Sequence, residues 1–360
     1  MSDLIAPGET GLAEVCLPCA ALAPALEFYV GRLGFRVETI FPAEDPSVAL
    51  LSGHGLRLRL SPGEGSPGHL RLLLAGHASG PERLVAPNGT VVELAPLIAP
   101  MDIPALEPEF IVTRQQDGPG HGEGRAGMLY RDLIPGRLGG RFIASHIAIP
   151  QGGPVADWVH FHRVRFQLIF VRKGWVRVVY EDQGEPFVMH PGDCVLQPPQ
   201  IRHRVLESSD GLEVIEVGCP ALHETIADHD LQLPTGVLAP DRDFGGQRFM
   251  RHRAAETPWV SHGDSGFLRQ DTAMFEATGG LAEVMVLKSG GAQRLEVAAH
   301  RGELLFAVLL EGSAWLEHQG RHALRSCDAF VIPAGQDWAL EDASPDLVLL
   351  LVSLPEAIAE

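Results

Sequence analysis

Lysine is nearly absent from this chain, occurring only at Lys173 and Lys288, so arginine supplies almost all of the positive charge. That scarcity reads as a genome-composition bias and points to no mechanism. Positive charge is short overall: 28 basic against 46 acidic residues leave a net charge of −18. Such an excess repels phosphate backbones and anionic bilayer surfaces, so neither nucleic acid nor a membrane is expected as a partner. No helix-turn-helix pattern or basic patch suggests otherwise. Cysteine is sparse and odd in number, at Cys16, Cys19, Cys194, Cys219 and Cys327. That set excludes a disulfide framework and suits a reducing cytoplasm. Cys16 and Cys19 have redox-motif spacing, but no second pair accompanies them to make a zinc site, and we read them as incidental. Apolar runs are short, Leu347 to Leu351 for example being a strand's length, and no charged-then-apolar signal segment is seen. A cytoplasmic location is therefore expected. The composition, 45% hydrophobic and 21% charged over 360 residues, suits a globular chain of two or three domains.

Histidine is where the chain becomes specific. One segment reads His160-Phe161-His162, then Gln167 and Gly174; a second reads Gly192, Pro198, Gln200 and His203. Residues two apart on a strand share a face, so His160 and His162 project together. Gln167 lies an odd number of residues further on, and a turn or bulge near Val164-Arg165 must intervene if it is to face the same interior. The run Phe166 to Val171 is apolar apart from that glutamine, and an amide buried there needs a partner or a ligand. Imidazoles suit zinc, copper, iron and nickel, and disfavour a calcium-type site.

These two segments resemble the paired signature of the cupin family, whose small β-barrels hold one metal ion. The resemblance implies a metal site at His160, His162, Gln167 and His203, holding one divalent ion, with iron(II) favoured and manganese, nickel or zinc as alternatives. The chain departs from the family in carrying Gln167 where Glu is usual and Gln200 where Gly is usual. A neutral amide leaves the ion's charge uncompensated, which favours an anionic chelating substrate and provides no base among the ligands. Asp157 and Glu207 are nearby in sequence as groups behind the ligands, and Arg165, Arg177, Arg202 and Arg204 are candidates to hold the anion.

The chain also repeats itself. Gly127-Met-Leu-Tyr-Arg-Asp recurs as Gly266-Phe-Leu-Arg-Gln-Asp, and Gly174, Asp193, Pro198 and Gln200 are matched by Gly312, Asp328, Pro333 and Gly335. The later half thus resembles a second cupin module, but its ligand positions read Ala298, His300, Leu305 and Trp338, which should hold no metal. Packing against the first barrel or an oligomer surface is its expected role; Trp315 and Trp338 are candidates for an apolar pocket.

Residues 1–98 have another rhythm: a strand Leu12 to Leu17, a helix Leu22 to Leu33, and strands from Gly34 and Ser47. Leu26 to Phe35 and Ala86 to Glu93 resemble the glyoxalase, or vicinal-oxygen-chelate, family, which implies a second metal site at Glu14, His69 and Glu93 in what reads as a degenerate domain. The expected architecture is mainly β: a small α+β domain (1–98), a linker (99–126) that includes His121, a metal-binding cupin barrel (127–232) and a metal-free one (233–360). The expected function is a non-heme iron dioxygenase acting on a small keto, enol or hydroxy acid, in a homodimer. A metal-dependent isomerase or lyase, or a non-catalytic small-molecule binder, is the alternative.

Overall fold

The computed structural model describes residues 14–42, 46–75, 82–97, 100–116, 122–123 and 128–354. His121 and Gly127 fall outside them. The chain forms two compact units, Met1–Pro100 and Met101–Glu360. Among the described residues no helix is long and apolar enough to cross a membrane.

In the first unit a strand, Val15–Pro18, leads into the helical turns Leu22–Leu26 and Glu27–Arg32 and then three strands, Arg36–Phe41, Val48–Gly53 and Leu56–Ser61. Val15–Pro18 pairs in parallel with Leu56–Ser61, closing a four-stranded sheet. The helical segment drops Ala25, Phe28 and Tyr29 onto that sheet's Leu51, Leu58 and Leu60. A three-stranded sheet follows, in which His69–Leu74 runs parallel to Val91–Pro96.

The second unit holds two β-sandwich barrels. In the first barrel a seven-stranded sheet, including Ile143–Ile149, Phe166–Lys173 and Leu212–Cys219, is completed by a sheet containing Val176–Tyr180, His203–Ser208 and His160–His162. The second barrel repeats this with Glu283–Ser289, Leu304–Glu311 and Val348–Leu354 in one sheet and Ser313–Glu317, Arg321–Arg325 and Trp338–Glu341 in the other. The repeat extends to backbone detail. Gly174 and Gly312 both have left-handed φ, 76° and 77°. A Cβ on Gly174 would lie 3.1 Å from Leu212 Cα, and one on Gly312 would lie 2.7 Å from Leu347 Cα. Only glycine meets both demands. Gln200 also has a left-handed φ of 63°, as does its counterpart Gly335 at 77°, so the glutamine occupies a conformation that glycine adopts more cheaply.

The two barrels share a core. On Phe166–Lys173, the side chains of Phe166, Leu168 and Phe170 pack with Val284, Val286, Phe306 and Val308 of the other barrel. Gln167 and Ile169 alternate with them and face their own barrel's interior. A strand buried on both faces explains why this run is almost uniformly apolar.

Each barrel also receives a strand from a segment outside its own repeat. Ile111–Thr113, in the stretch expected to be a linker, pairs with Ala329–Val331 of the second barrel. Met250–His252, assigned by sequence to the second module, pairs with Cys194–Leu196 of the first. The anchors are equivalent: Asp328 Oδ1 accepts from Gln115 N at 2.8 Å, and Asp193 Oδ1 accepts from Ala254 N at 2.9 Å. Periodicity could not show this, because a three-residue strand has no distinctive pattern.

Charges cross the same interface. Arg141 and Arg165 of the first barrel both meet Glu303 of the second at 2.8 Å. Burial works against ionisation of Glu303, but hydrogen bonds from Arg165 and Arg141 outweigh it and hold the carboxyl below its ordinary value. A folded-state pKa below the unfolded one stabilises the protein above the ordinary carboxylate range, and that contribution is lost as pH falls through the folded value. Replacing Glu303 by Gln strands two guanidiniums and should cost about 3 kcal/mol at neutral pH. Thermal melts of both proteins across the acid range check this: the gap in Tm should be widest at neutral pH and close in acid.

Candidate metal centre

His160 and His203 are direct cross-strand partners, and both are buried. His162 joins them from the same face of its strand. The ring centroids lie 4.2 Å apart for His160 and His203, 5.1 Å for His160 and His162, and 5.3 Å for His162 and His203. One ligand nitrogen from each of the three lies within 4.8 Å of the others.

Backbone carbonyls fix which nitrogen faces inward. His160 Nδ1 donates to Trp158 O at 2.8 Å, His203 Nδ1 to Ile201 O at 3.0 Å, and His162 Nδ1 lies 3.3 Å from Glu224 O. With Nδ1 committed as donor, Nε2 carries the lone pair that a metal requires. Asp157 stands behind His160, its Oδ1 3.5 Å from Nδ1, while its Oδ2 accepts from Val205 N at 2.9 Å. It braces a ligand and does not face the cavity. Glu207 is paired with Arg177 at 3.5 Å, on the outer face.

Gln167 reaches the same interior from the other sheet. The residues between it and His162 carry the chain from one sheet to the other, so the turn or bulge expected near Val164-Arg165 is a sheet-to-sheet connection. Its Nε2 donates to Glu216 Oε1 at 2.6 Å, and its Oε1 is buried without a hydrogen-bond partner. A buried carbonyl oxygen left bare is costly, and coordination by a cation would satisfy it. Three oriented imidazoles and one orphaned amide oxygen therefore fit a divalent ion of the zinc, iron, nickel or manganese type.

The surrounding cavity has a volume of about 350 Å³. Sequence reasoning missed the cavity's other polar lining residues, among them Tyr180, Gln197, Glu216 and His223. Glu216 sits in the apolar run Leu212–Cys219 at the same parity as Leu212 and Val214; an acid at an inward position was the available signal. Burial pushes the Tyr180 phenol well up, only partly offset by Gln197, whose Nε2 donates to Tyr180 Oη at 2.9 Å. His223 packs edge-on against His162 at 5.3 Å.

None of the four candidate arginines lines this cavity. Arg177 and Arg204 alternate with the inward Val176, Val178, His203 and Val205, so they point outward. Arg202 pairs with Asp228 at 3.2 Å and lies over the Phe161 ring. Arg165 is committed to Glu303. The anion-binding role expected of them is thereby corrected.

In the N-terminal unit Glu14 is engaged by Arg57 at 2.7 Å and Arg59 at 3.3 Å. Glu93 meets Arg71 at 2.7 Å and lies 3.8 Å from His69. The structure does not gather Glu14, His69 and Glu93 into a three-ligand group. A second three-residue group, His146, Glu213 and Cys327, spans the two barrels. There His146 and Arg172 hold the Glu213 carboxyl down at about 2, and the buried Arg131 donates to Cys327 O at 2.8 Å. Two guanidiniums make this an interface network hostile to a cation. In the second barrel His300 Nε2 is tied to Ile332 O at 2.8 Å. Trp338 packs in the filled interior against Phe330 at 5.1 Å, and Trp315 lies outside beneath Arg321, so these two do not form the apolar pocket expected of them.

A family model described as a cupin domain matches residues 145–218. No curated protein matches the chain. Among solved structures the chain resembles protein YlbA from E. coli, with a TM-score of 0.53 at 11% identity over 72% of this chain and 96% of that one. It also resembles a variant of oxalate decarboxylase OxdC from Bacillus subtilis, with a TM-score of 0.52 at 13% identity over 72% and 80%. At such identities the likeness is one of fold: a β jelly-roll of the cupin kind.

The amide oxygen gives a direct test. Gln167→Leu keeps the shape and removes Oε1, and metal titration followed by elemental analysis should show affinity reduced about tenfold or more. His160→Ala should abolish stoichiometric metal.

Proposed function

We propose that this protein is a mononuclear metal-dependent cupin enzyme, and that its reaction is the oxidation or cleavage of a small anionic keto, enol or hydroxy acid by dioxygen on a non-heme iron(II) ion. The observation that carries the reading is the ligand set itself: three imidazoles with Nδ1 tied to backbone and an amide oxygen with nothing else to bind. His160, His162, His203 and Gln167 would hold the ion, leaving room for a chelating substrate. Such an ion, when bound, supplies charge stabilisation and, if it is iron, one-electron chemistry with dioxygen.

The residues around it set the remaining terms. All four protein donors are neutral, so an anionic substrate is drawn by the ion's own charge. Glu216, held by the Gln167 amide, places a proton acceptor in the cavity. Tyr180, kept protonated by burial, offers a hydrogen-bond donor from the opposite sheet.

Glu216 favours a second reading. A carboxylate beside a Lewis-acid site is what a non-redox isomerase or lyase needs to move a proton on a substrate carbon. The strand–helix–three-strand order of residues 15–61 supports reading the N-terminal unit as glyoxalase-like, without a metal site of its own. Assembly as a homodimer remains part of the proposal.

Oxygen consumption separates the two chemistries. Protein loaded with iron(II) should consume dioxygen in the presence of keto- or hydroxy-acid substrates, and zinc-loaded protein should not. Full turnover by zinc-loaded protein without oxygen would sink the dioxygenase reading and favour the isomerase or lyase.

A further inference from the structure

The register of the first barrel sorts its interior into layers, and the layers differ in chemistry. At one end, His160 stands beside His203 and Tyr180 pairs with His203; across the cavity Ser145 pairs with Glu216, whose carboxylate holds Gln167. Moving along the same strands, each next inward position is apolar. His203 gives way to Val205, Tyr180 to Val178 and then Val176, Ser145 to Ile147 and Ile149, and Glu216 to Val214 and Leu212. The cavity is thus polar at the ligand end and mostly apolar at the other, where the Tyr130 ring, level with Ile147, joins the aliphatic side chains.

Charge is distributed just as unevenly. Among the described residues, Glu216 is the one acidic residue on the cavity wall, and neither lysine nor arginine lines it. A substrate carrying a second carboxylate would have to place it either at the mostly apolar end, with no cationic partner among the described residues, or beside Glu216. Both positions are unfavourable, the first by desolvation and the second by like-charge repulsion. Aliphatic substituents meet neither penalty and gain from burial.

We infer that the substrate is a monoanionic chelator with an apolar aliphatic or aromatic body, bound with its oxygens toward His160, His162 and His203 and its body along Val178, Ile147 and Val214. This rests on the metal-centre reading above and narrows it, setting small dicarboxylates outside the substrate class. The volume of about 350 Å³ lies at the small end of the range for ligand pockets, which admits a medium-sized body only.

Binding to the zinc-loaded full-length protein, which avoids turnover, tests this by calorimetry with 2-oxo acids as probes. Affinity should rise by about fourfold for each methylene from pyruvate through 2-oxobutanoate and 2-oxopentanoate to 2-oxohexanoate. 2-Oxoglutarate, equal in chain length to 2-oxopentanoate but ending in a second carboxylate, should bind at least about tenfold more weakly than it, since an unpaired charge is the more heavily penalised group. In Val178→Phe, which fills the apolar end, the gain with chain length should disappear. A series that is flat in chain length, or 2-oxoglutarate binding as tightly as 2-oxopentanoate, overturns the inference while stoichiometric zinc leaves the metal reading standing. Failure of the wild-type protein to take up zinc overturns both.

Discussion

Two three-residue strands bind the architecture together. Ile111–Thr113 completes the second barrel and Met250–His252 completes the first, so each barrel's sheet is finished by chain that lies outside its own repeat. Edge strands left open are unstable and sticky; the exchange covers both edges and orients the barrels at the same time. The shared apolar core follows, because the two seven-stranded sheets then meet on faces lined by Phe166, Leu168 and Phe170 on one side and Phe306 and Val308 on the other. Glu303, Arg141 and Arg165 seal the margin of that core with charge. A second barrel that has lost its ligand positions is therefore still required, as the surface on which the first barrel's sheet is buried.

Much of this was legible in the residues. The histidine pair, His203 and Gln167 mark the same interior in sequence and structure because strand alternation leaves few alternatives once the spacing is given. The repeat was legible because Gly174 and Gly312 answer to the same steric demand, and demands on backbone leave identity behind. The exchange was hidden for the opposite reason: pairing of Ile111–Thr113 is a matter of partner, not of pattern. Arginines misled. Arg177 and Arg204 lie next to interior positions in sequence, and on a strand that adjacency places them on the other face. Glu216 was missed because its run has acids at both parities, Glu213 outward to the barrel interface and Glu216 inward, and only the register distinguishes them.

The interior of the first barrel gathers most of its polar groups where a ligand would use them. Several polar side chains at that end are held by a second group: the imidazoles by carbonyls, His160 also by Asp157, Tyr180 by Gln197, and Gln167 by Glu216. Such bracing costs conformational freedom at folding and removes the need to reorganise when charge arrives. The second barrel shows what the same fold does without that requirement, its interior closed by Leu305, Leu316 and Trp338.

The contact between Gln167 and Glu216 has a consequence for descent. The glutamate that cupins usually carry at the first of these positions would here meet another carboxylate at hydrogen-bonding distance, and two such groups cannot both be ionised without a large penalty. The glutamine is then no decayed ligand. Negative charge stands on the neighbouring strand, at Glu216, where it steers the amide, and the two positions are electrostatically coupled. Among relatives of this barrel, an acid at the first position should travel with an uncharged residue at the second.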